Sequence, residues 1–124
     1  MNLSVLIVED SRPMCRIIIR LLADLGITDV DACIERRTAL SRASGRDYDL
    51  VIIDYFLGDC TGVEVIRDMR ATGAHVPAVL ITGRPSQARE DLGSDVDWLI
   101  KPFSAQELAE RIALACPHWQ AGRP

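Results

Sequence analysis

The chain has 124 residues, of which 48% are apolar and 26% charged, and it carries a formal net charge of -4 with a pI near 5.1. That length suits one domain with its own core, and the composition excludes a disordered chain. The acidic balance argues against direct binding to nucleic acid, whose polyanionic backbone attracts basic surfaces.

Four short apolar runs punctuate the chain: "VLIV" from Val5, "LVII" from Leu50, "AVLI" from Ala78 and "WLI" from Trp98. Each is followed by polar or turn-forming residues, as expected of strands covered on both faces. The first run leads into a helix with Met14, Ile17, Ile18, Leu21, Leu22 and Leu25 at three- and four-residue spacing, stopped by Gly26. "DVDACIE" reads as a weaker strand near a sheet edge, with Val30, Ala32 and Ile34 alternating against Asp31, Cys33 and Glu35.

A second helix is predicted from Arg36 to Ala43, and a third from about Thr61 to Arg70 ahead of Gly73. A short fourth is predicted from Ser86 to Leu92. The last is the best marked after the first: Ser104 caps it, Glu107 completes a capping box, and Ala105, Leu108, Ala109 and Ile112 form its apolar face. The pattern is βα repeated five times, which implies a doubly wound α/β domain with a five-stranded parallel sheet and helices on both faces. Residues 1–117 are expected to form the domain and 118–124 a C-terminal tail.

Cys15, Cys33, Cys60 and Cys116 show neither a C-x-x-C pair nor zinc-ligand spacing, and read as thiols buried in a reducing cytosol. No leader or membrane span is legible, since the most apolar helix is interrupted by Arg16 and Arg20, and a cytoplasmic location is expected. His75 and His118 lack ligand-spaced partners and read as surface residues.

In open parallel sheets, ligands collect at the carboxyl ends of the strands. Here the first strand stops at Glu9-Asp10, the third at Asp54, the fourth at Thr82 and the fifth at Lys101, the one lysine among 14 basic residues. Each has an ordinary explanation: Asp10 or Ser11 as a helix cap, Asp54 as a turn, Thr82 as a strand end, Lys101 as a solvated loop residue. Independent caps and turns, however, have no reason to gather three carboxylates, a hydroxyl and the lone lysine on one edge.

Unit charges about 4 Å apart repel by roughly 4 kcal/mol per pair at an effective dielectric near 20. A proton that raises one pKa, or a cation, must offset that cost. An all-oxygen cluster selects a hard ion, and a partly open site suits magnesium better than calcium.

These residues resemble the receiver domain of response regulators, the CheY-like phosphoacceptor module of two-component signalling. The resemblance runs from Val5 to about Ala115 and rests on "VLIVEDS", "DLVIIDYFLGDCTG", "VPAVLITG" and "WLIKPF". It implies a flavodoxin-like sheet of order 2-1-3-4-5. Asp54 would accept a phosphoryl group from a histidine kinase or histidine phosphotransfer protein. Mg2+ would be held by Asp10 and Asp54 directly, by Glu9 through water, and by the backbone carbonyl of Phe56. Lys101 would pair first with the Asp54 carboxylate and then with a phosphate oxygen, a changing contact suited to a compact ammonium. The Lys101-Pro102 bond is expected to be cis.

The resemblance also implies an output. Thr82 would bond the new phosphate and Trp98 would turn inward, biasing the face built from the fourth helix, fifth strand and fifth helix. The other reading of Trp98 is a half-buried strand aromatic. An unspecified downstream protein and a phosphorylation-dependent dimer are the partners to expect, with no membrane and no direct nucleic-acid contact. Enzymatic activity would be limited to self-phosphorylation from phosphodonors and autodephosphorylation. The chain would be a stand-alone receiver or a piece of a larger regulator.

Several positions depart from the family's pattern. Leu57-Gly58 stands where methionine and proline are usual, Gly83 follows Thr82 where alanine is common, and "GRPSQAREDLGSDVD" is a few residues short. Phe56 and Arg84 occupy positions that tune dephosphorylation, and bulky Phe56 is expected to lengthen the phosphorylated lifetime.

Two other classes compete. One is a receiver-like interaction module that is never phosphorylated. The other is an aspartyl-phosphate phosphohydrolase of the haloacid dehalogenase type, which needs a D-x-D where this chain has Asp54-Tyr55-Phe56. A nucleotide-binding module is disfavoured because "VEDSRP" has no glycine-rich phosphate cradle.

Overall fold

A computed structural model describes residues 2–86 and 96–121. Five strands, β1 (Ser4–Val8), β2 (Asp29–Cys33), β3 (Leu50–Asp54), β4 (Ala78–Thr82) and β5 (Val96–Ile100), alternate with helices α1 (Arg12–Asp24), α2 (Arg36–Gly45) and α3 (Gly62–Ala71), and α4 (Ala105–Ala115) follows β5. All pairings are parallel and the sheet order is β2-β1-β3-β4-β5, the expected flavodoxin-like arrangement. The short helix expected over residues 86–92 falls almost wholly outside the described residues.

Three of the four apolar runs became central strands, while "WLI" became the edge strand β5, which is only partly buried. Every residue of β3 and β4 is buried, because both faces of the sheet are covered. Leu6, Val8, Val51, Ile53 and Leu80 face one core with α2 and α3. The other core joins Val5, Ile7, Leu50, Ile52 and Ile81 to Ile18 and Leu22 of α1 and Leu108 and Ile112 of α4.

Local chemistry fixes the helix starts. Ser11 rather than Asp10 caps α1, its hydroxyl accepting from the Met14 amide at 3.3 Å. Both α3 and α4 begin with capping boxes, Thr61 with Glu64 and Ser104 with Glu107. Gly26 closes α1 at φ +85°, a left-handed conformation that costs glycine little.

Some expectations shift. Ile17 lies outside the buried face of α1 and is 51% exposed. It stands about 100° around the helix from Ile18, which is fully buried with Leu22. Towards the end of β2, Cys33 is buried whereas Ala32 and, just beyond the strand, Ile34 are exposed, so of the predicted apolar row only the half-buried Val30 packs against a core at this edge strand. The thiols are all free, but only Cys33 and Cys60 are buried, while Cys15 and Cys116 are half-buried. The segment read as a tail starts with exposed His118, yet Trp119 is only 4% exposed and packs into the α1/α4 core. Among the described residues no helix is long and apolar enough to cross a membrane.

Candidate functional site

Parallel topology brings the carboxyl ends of β1, β3, β4 and β5 to one rim, and four of the five candidate side chains meet there as a charged cluster. Carboxylate oxygens of Glu9, Asp10 and Asp54 all lie within 4.8 Å of one another. Opposite them, Lys101 Nζ stands 3.3 Å from Asp54 Oδ2 and 3.7 Å from Glu9 Oε1. The backbone sets this approach, because the Lys101 amide donates to the Thr82 carbonyl at 2.8 Å and the Tyr55 amide to that of Ile81 at 2.7 Å. The Lys101-Pro102 peptide is cis, as the resemblance implies.

The cluster is unevenly solvated. Glu9 is 1% exposed and Asp54 9%, while Asp10 lies open to solvent. Burial, followed by the charge of Asp54, pushes the Glu9 carboxyl up to about 7, against the opposing pull of the Ser11 amide and Lys101. One Glu9 oxygen accepts from the Ser11 amide at 3.3 Å, while Oε1 is buried without a hydrogen bond. A buried carboxylate oxygen left unbonded is costly. It faces the Lys101 ammonium only at 3.7 Å, and the all-oxygen donor set of Glu9, Asp10 and Asp54 matches a hard divalent ion.

Thr82 is buried, and its hydroxyl accepts from the Arg84 amide at 3.1 Å. Thr82 and Asp54 share a cleft of about 280 Å3, lined also by Phe56, Gly83, Arg84 and Lys101. Phe56 stands at its mouth, 58% exposed. The loop after β3 is held by an antiparallel bridge between Phe56 and Thr61 and by the Gly62 amide donating to the Tyr55 carbonyl at 2.7 Å. Gly58 within it adopts φ +83°, so the position where proline is usual holds a conformation that proline cannot take.

Trp98 is half-buried on β5, its ring 6.2 Å from that of Tyr55 and packed against the α2/α3 core. The fourth-helix part of the expected output face, within residues 87–95 before β5, lies outside the described residues. The structure adds two residues that motif reading did not single out. Ser11 tethers Glu9, and Tyr55 links the β3 end to Trp98. Ser11 carried only a helix-cap signal, and Tyr55 none beyond adjacency to Asp54.

The thiols offer no competing nucleophile: burial pushes Cys33 and Cys116 up to about 11. His75 and His118 are exposed, as expected.

Comparison with known proteins agrees with this geometry. The family model described as the response regulator receiver domain matches residues 5–113. The chain is 33% identical over 115 residues to the chemotaxis protein CheY of Pseudomonas aeruginosa, covering 89% of this chain and 93% of that protein. It is 36% identical over 114 residues to the transcriptional regulatory protein DltR of Streptococcus agalactiae, covering 88% of this chain but 50% of that protein. Among solved structures, the receiver domain of sensor histidine kinase PA1611 of Pseudomonas aeruginosa, with a magnesium ion coordinated in its active-site cleft, aligns with a TM-score of 0.83 at 25% identity, over 94% of this chain and 99% of that one. A CheY-like receiver domain from Methylobacillus flagellatus aligns with a TM-score of 0.76 at 28% identity, over 90% of this chain and 97% of that one. With its parallel sheet, its rim of acids and this match along most of its length, the chain belongs to the response regulator receiver domains of two-component systems.

Proposed function

We propose that Asp54 is the phosphoacceptor of this receiver, taking a phosphoryl group from the phosphohistidine of a histidine kinase or phosphotransfer protein. The observation that carries this reading is the Lys101 ammonium 3.3 Å from an Asp54 carboxylate whose neighbours are the buried Glu9 and the open Asp10. In the transfer, an Asp54 oxygen forms a bond to phosphorus as the P–N bond of the donor breaks, and the imidazole leaves with the electron pair. A carboxylate is a weak nucleophile toward an anionic phosphoryl group, so the site contributes alignment and charge screening.

Asp10 and Asp54 would hold Mg2+ directly, Glu9 through water, and the Phe56 carbonyl would complete the protein ligands. When bound, the ion supplies screening of the incoming phosphate and relief of the carboxylate repulsion. Lys101 exchanges its Asp54 contact for a phosphate oxygen. Thr82 exchanges the Arg84 amide for the phosphate, which pulls on the loop after β4. Trp98 and the surface of β5 and α4 then carry the change to a downstream protein.

The phosphohydrolase reading lacks its general acid. Phe56 stands where that mechanism needs the second aspartate, and it offers no proton at the cleft it helps to line. The test is incubation with a small phosphodonor and magnesium, followed by intact mass, for wild type and Asp54→Asn. A magnesium-dependent phosphate adduct lost in the variant is expected. An unmodified wild-type chain would favour the interaction-module reading, and sustained release of phosphate from added esters would favour the hydrolase.

A further inference from the structure

Tyr55 follows Asp54 directly, and its backbone is held on both sides. Its amide donates to the Ile81 carbonyl at 2.7 Å, and its carbonyl accepts from the Gly62 amide at 2.7 Å. Asp54 lies opposite Ile81 in the register of β3 and β4, so Tyr55 stands level with Thr82 on the next rung. Trp98 lies opposite Leu80, on the other side of β4. Side chains two residues apart share a face of a sheet. Ile53 and Leu80 face the α2/α3 core, and Tyr55 and Trp98 pack against that same core. Thr82, two residues beyond Leu80, therefore shares its face with an aromatic residue on either side of its strand.

The two rings meet across that strand. With β4 between them, β3 and β5 are about 9–10 Å apart, yet the ring centroids of Tyr55 and Trp98 are 6.2 Å apart, with planes inclined at 34°. Both rings lean over β4, at a separation where aromatic pairs attract. Among the described residues the Tyr55 hydroxyl makes no hydrogen bond, so the contact belongs to the ring. The partners differ in freedom. Tyr55 is clamped between β4 and the start of α3, whereas Trp98 stands half-buried on the edge strand β5.

We propose that Tyr55 is a positioning residue of the switch: its ring holds Trp98 in the half-buried position it occupies beside unphosphorylated Asp54, and Trp98 turns only by giving up that contact. This rests on the reading of Asp54 as phosphoacceptor and Trp98 as switch. Thr82 stands on the strand between the two rings, so its exchange of the Arg84 amide for a phosphate opens space beside the contact and releases Trp98. An aromatic pair of this kind changes the ratio of two side-chain positions roughly two- to tenfold. That is enough to keep the resting switch largely in one position, and a charge-assisted bond to phosphate is strong enough to override it.

The test is fluorine NMR of the full chain carrying 5-fluorotryptophan, with the Trp98 and Trp119 resonances assigned by Trp98→Phe. In wild type, a small phosphodonor with magnesium should move the Trp98 resonance and leave that of Trp119 in place. Tyr55→Leu removes the ring, and without any phosphodonor it should give a second Trp98 resonance or exchange broadening, the sign of a second position becoming populated. Its change on adding phosphodonor, divided by the phosphorylated fraction from intact mass, should be at most half that of wild type. Tyr55→Phe keeps the ring and should match wild type in both respects. A single sharp Trp98 resonance with a full response in the leucine variant would overturn the proposal, leaving Tyr55 as core packing whose loss shows only in urea unfolding. Broadening of Trp119 together with Trp98 would overturn it too, as general loosening, and so would a phenylalanine variant that behaves like the leucine one. A wild-type chain without a phosphate adduct would instead count against the phosphoacceptor reading, while the comparison of the two variants without phosphodonor still decides whether Tyr55 holds Trp98.

Discussion

A β-carbon added to Gly62 would lie 2.4 Å from the carbonyl oxygen of Asp54, closer than real β-carbons approach any backbone atom. The same glycine donates its amide to Tyr55 at 2.7 Å, so the start of α3 is pressed against the strand end that presents Asp54. Gly62→Ala therefore forces either α3 or the Asp54 backbone to move. We expect a loss of about 1–3 kcal/mol in urea unfolding, as for overpacked core sites, together with slower Asp54 labelling. Stability within about 0.5 kcal/mol of wild type would mean that the contact relaxes without consequence.

Glu9 should make the metal-free domain sensitive to pH. Its carboxyl stands at about 7 in the folded state against an ordinary value of 4.5, so between those limits the folded chain holds more protons than the unfolded one. Stability from this group is complete below about 4.5 and is lost as pH rises through about 7. The shift corresponds to no more than roughly 3 kcal/mol. Glu9→Gln should flatten the stability–pH curve in that window, as measured by denaturation in chelator, and magnesium should recover more stability in wild type than in the variant. Parallel curves for the two proteins would remove Glu9 as the cause.

Lys101 faces two acids at once, Asp54 at 3.3 Å and Glu9 at 3.7 Å. Lys101→Met removes a cation that competes with Mg2+ for the same carboxylates, so magnesium affinity should rise a few-fold while phosphoryl uptake falls tenfold or more. Lys101→Arg keeps the charge but replaces a compact ammonium with a planar fork, and its uptake should fall between the two. Wild-type uptake in the methionine variant would remove the lysine from the mechanism.

Two tryptophans divide the fluorescence. Trp98 is half-buried beside Tyr55 at the proposed switch, whereas Trp119 is 4% exposed in the α1/α4 core, near Leu3 and the amino ends of the central strands. A phosphodonor with magnesium should change the emission of wild type and of Trp119→Phe alike, and leave Trp98→Phe unchanged. Because Trp119 fills a core position, its phenylalanine variant should also be less stable, by about 1–3 kcal/mol. A response that persists without Trp98 would detach that residue from the switch.

Much of this architecture can be read from residue pattern because the central strands are buried on both faces, which requires unbroken apolar runs such as "LVII" and "AVLI". Strand ends followed directly, and with them the residues of the rim. The edge was harder. On β2 Val30 and Cys33, from opposite rows, each meet a core while Ala32 meets solvent, and the small, ambiguous side chains Ala32 and Cys33 do not declare which is buried. Ile17 shows the related limit on a helix, where apolar identity fits the periodic pattern but the buried arc is narrower than the apolar one. Trp119 follows Pro117, beyond the end of helical periodicity, so its burial depends on a tertiary contact that no local spacing announces. The close approach of Gly62 to Asp54 is likewise a relation between elements, whereas the requirement that something offset three converging carboxylates was legible from charge alone.

Phe56 bears on how long a phosphoryl group would persist. It is among the residues lining the cleft of about 280 Å3 that holds Asp54, and at 58% exposed its ring is placed to border a water's approach to the carboxylate. Hydrolysis of an aspartyl phosphate needs a water in line with the breaking P–O bond, and a bulky apolar ring on that route neither hydrogen-bonds such a water nor leaves room for it. Phe56→Asn should therefore hasten decay severalfold, because the amide is smaller and can orient water, while Phe56→Leu, apolar and still bulky, should stay near wild type. Decay is to be followed by intact mass after the phosphodonor is removed at fixed magnesium. Identical lifetimes for the asparagine variant and wild type would show that water enters by another side of the cleft, with Arg84 across it as the next residue to vary.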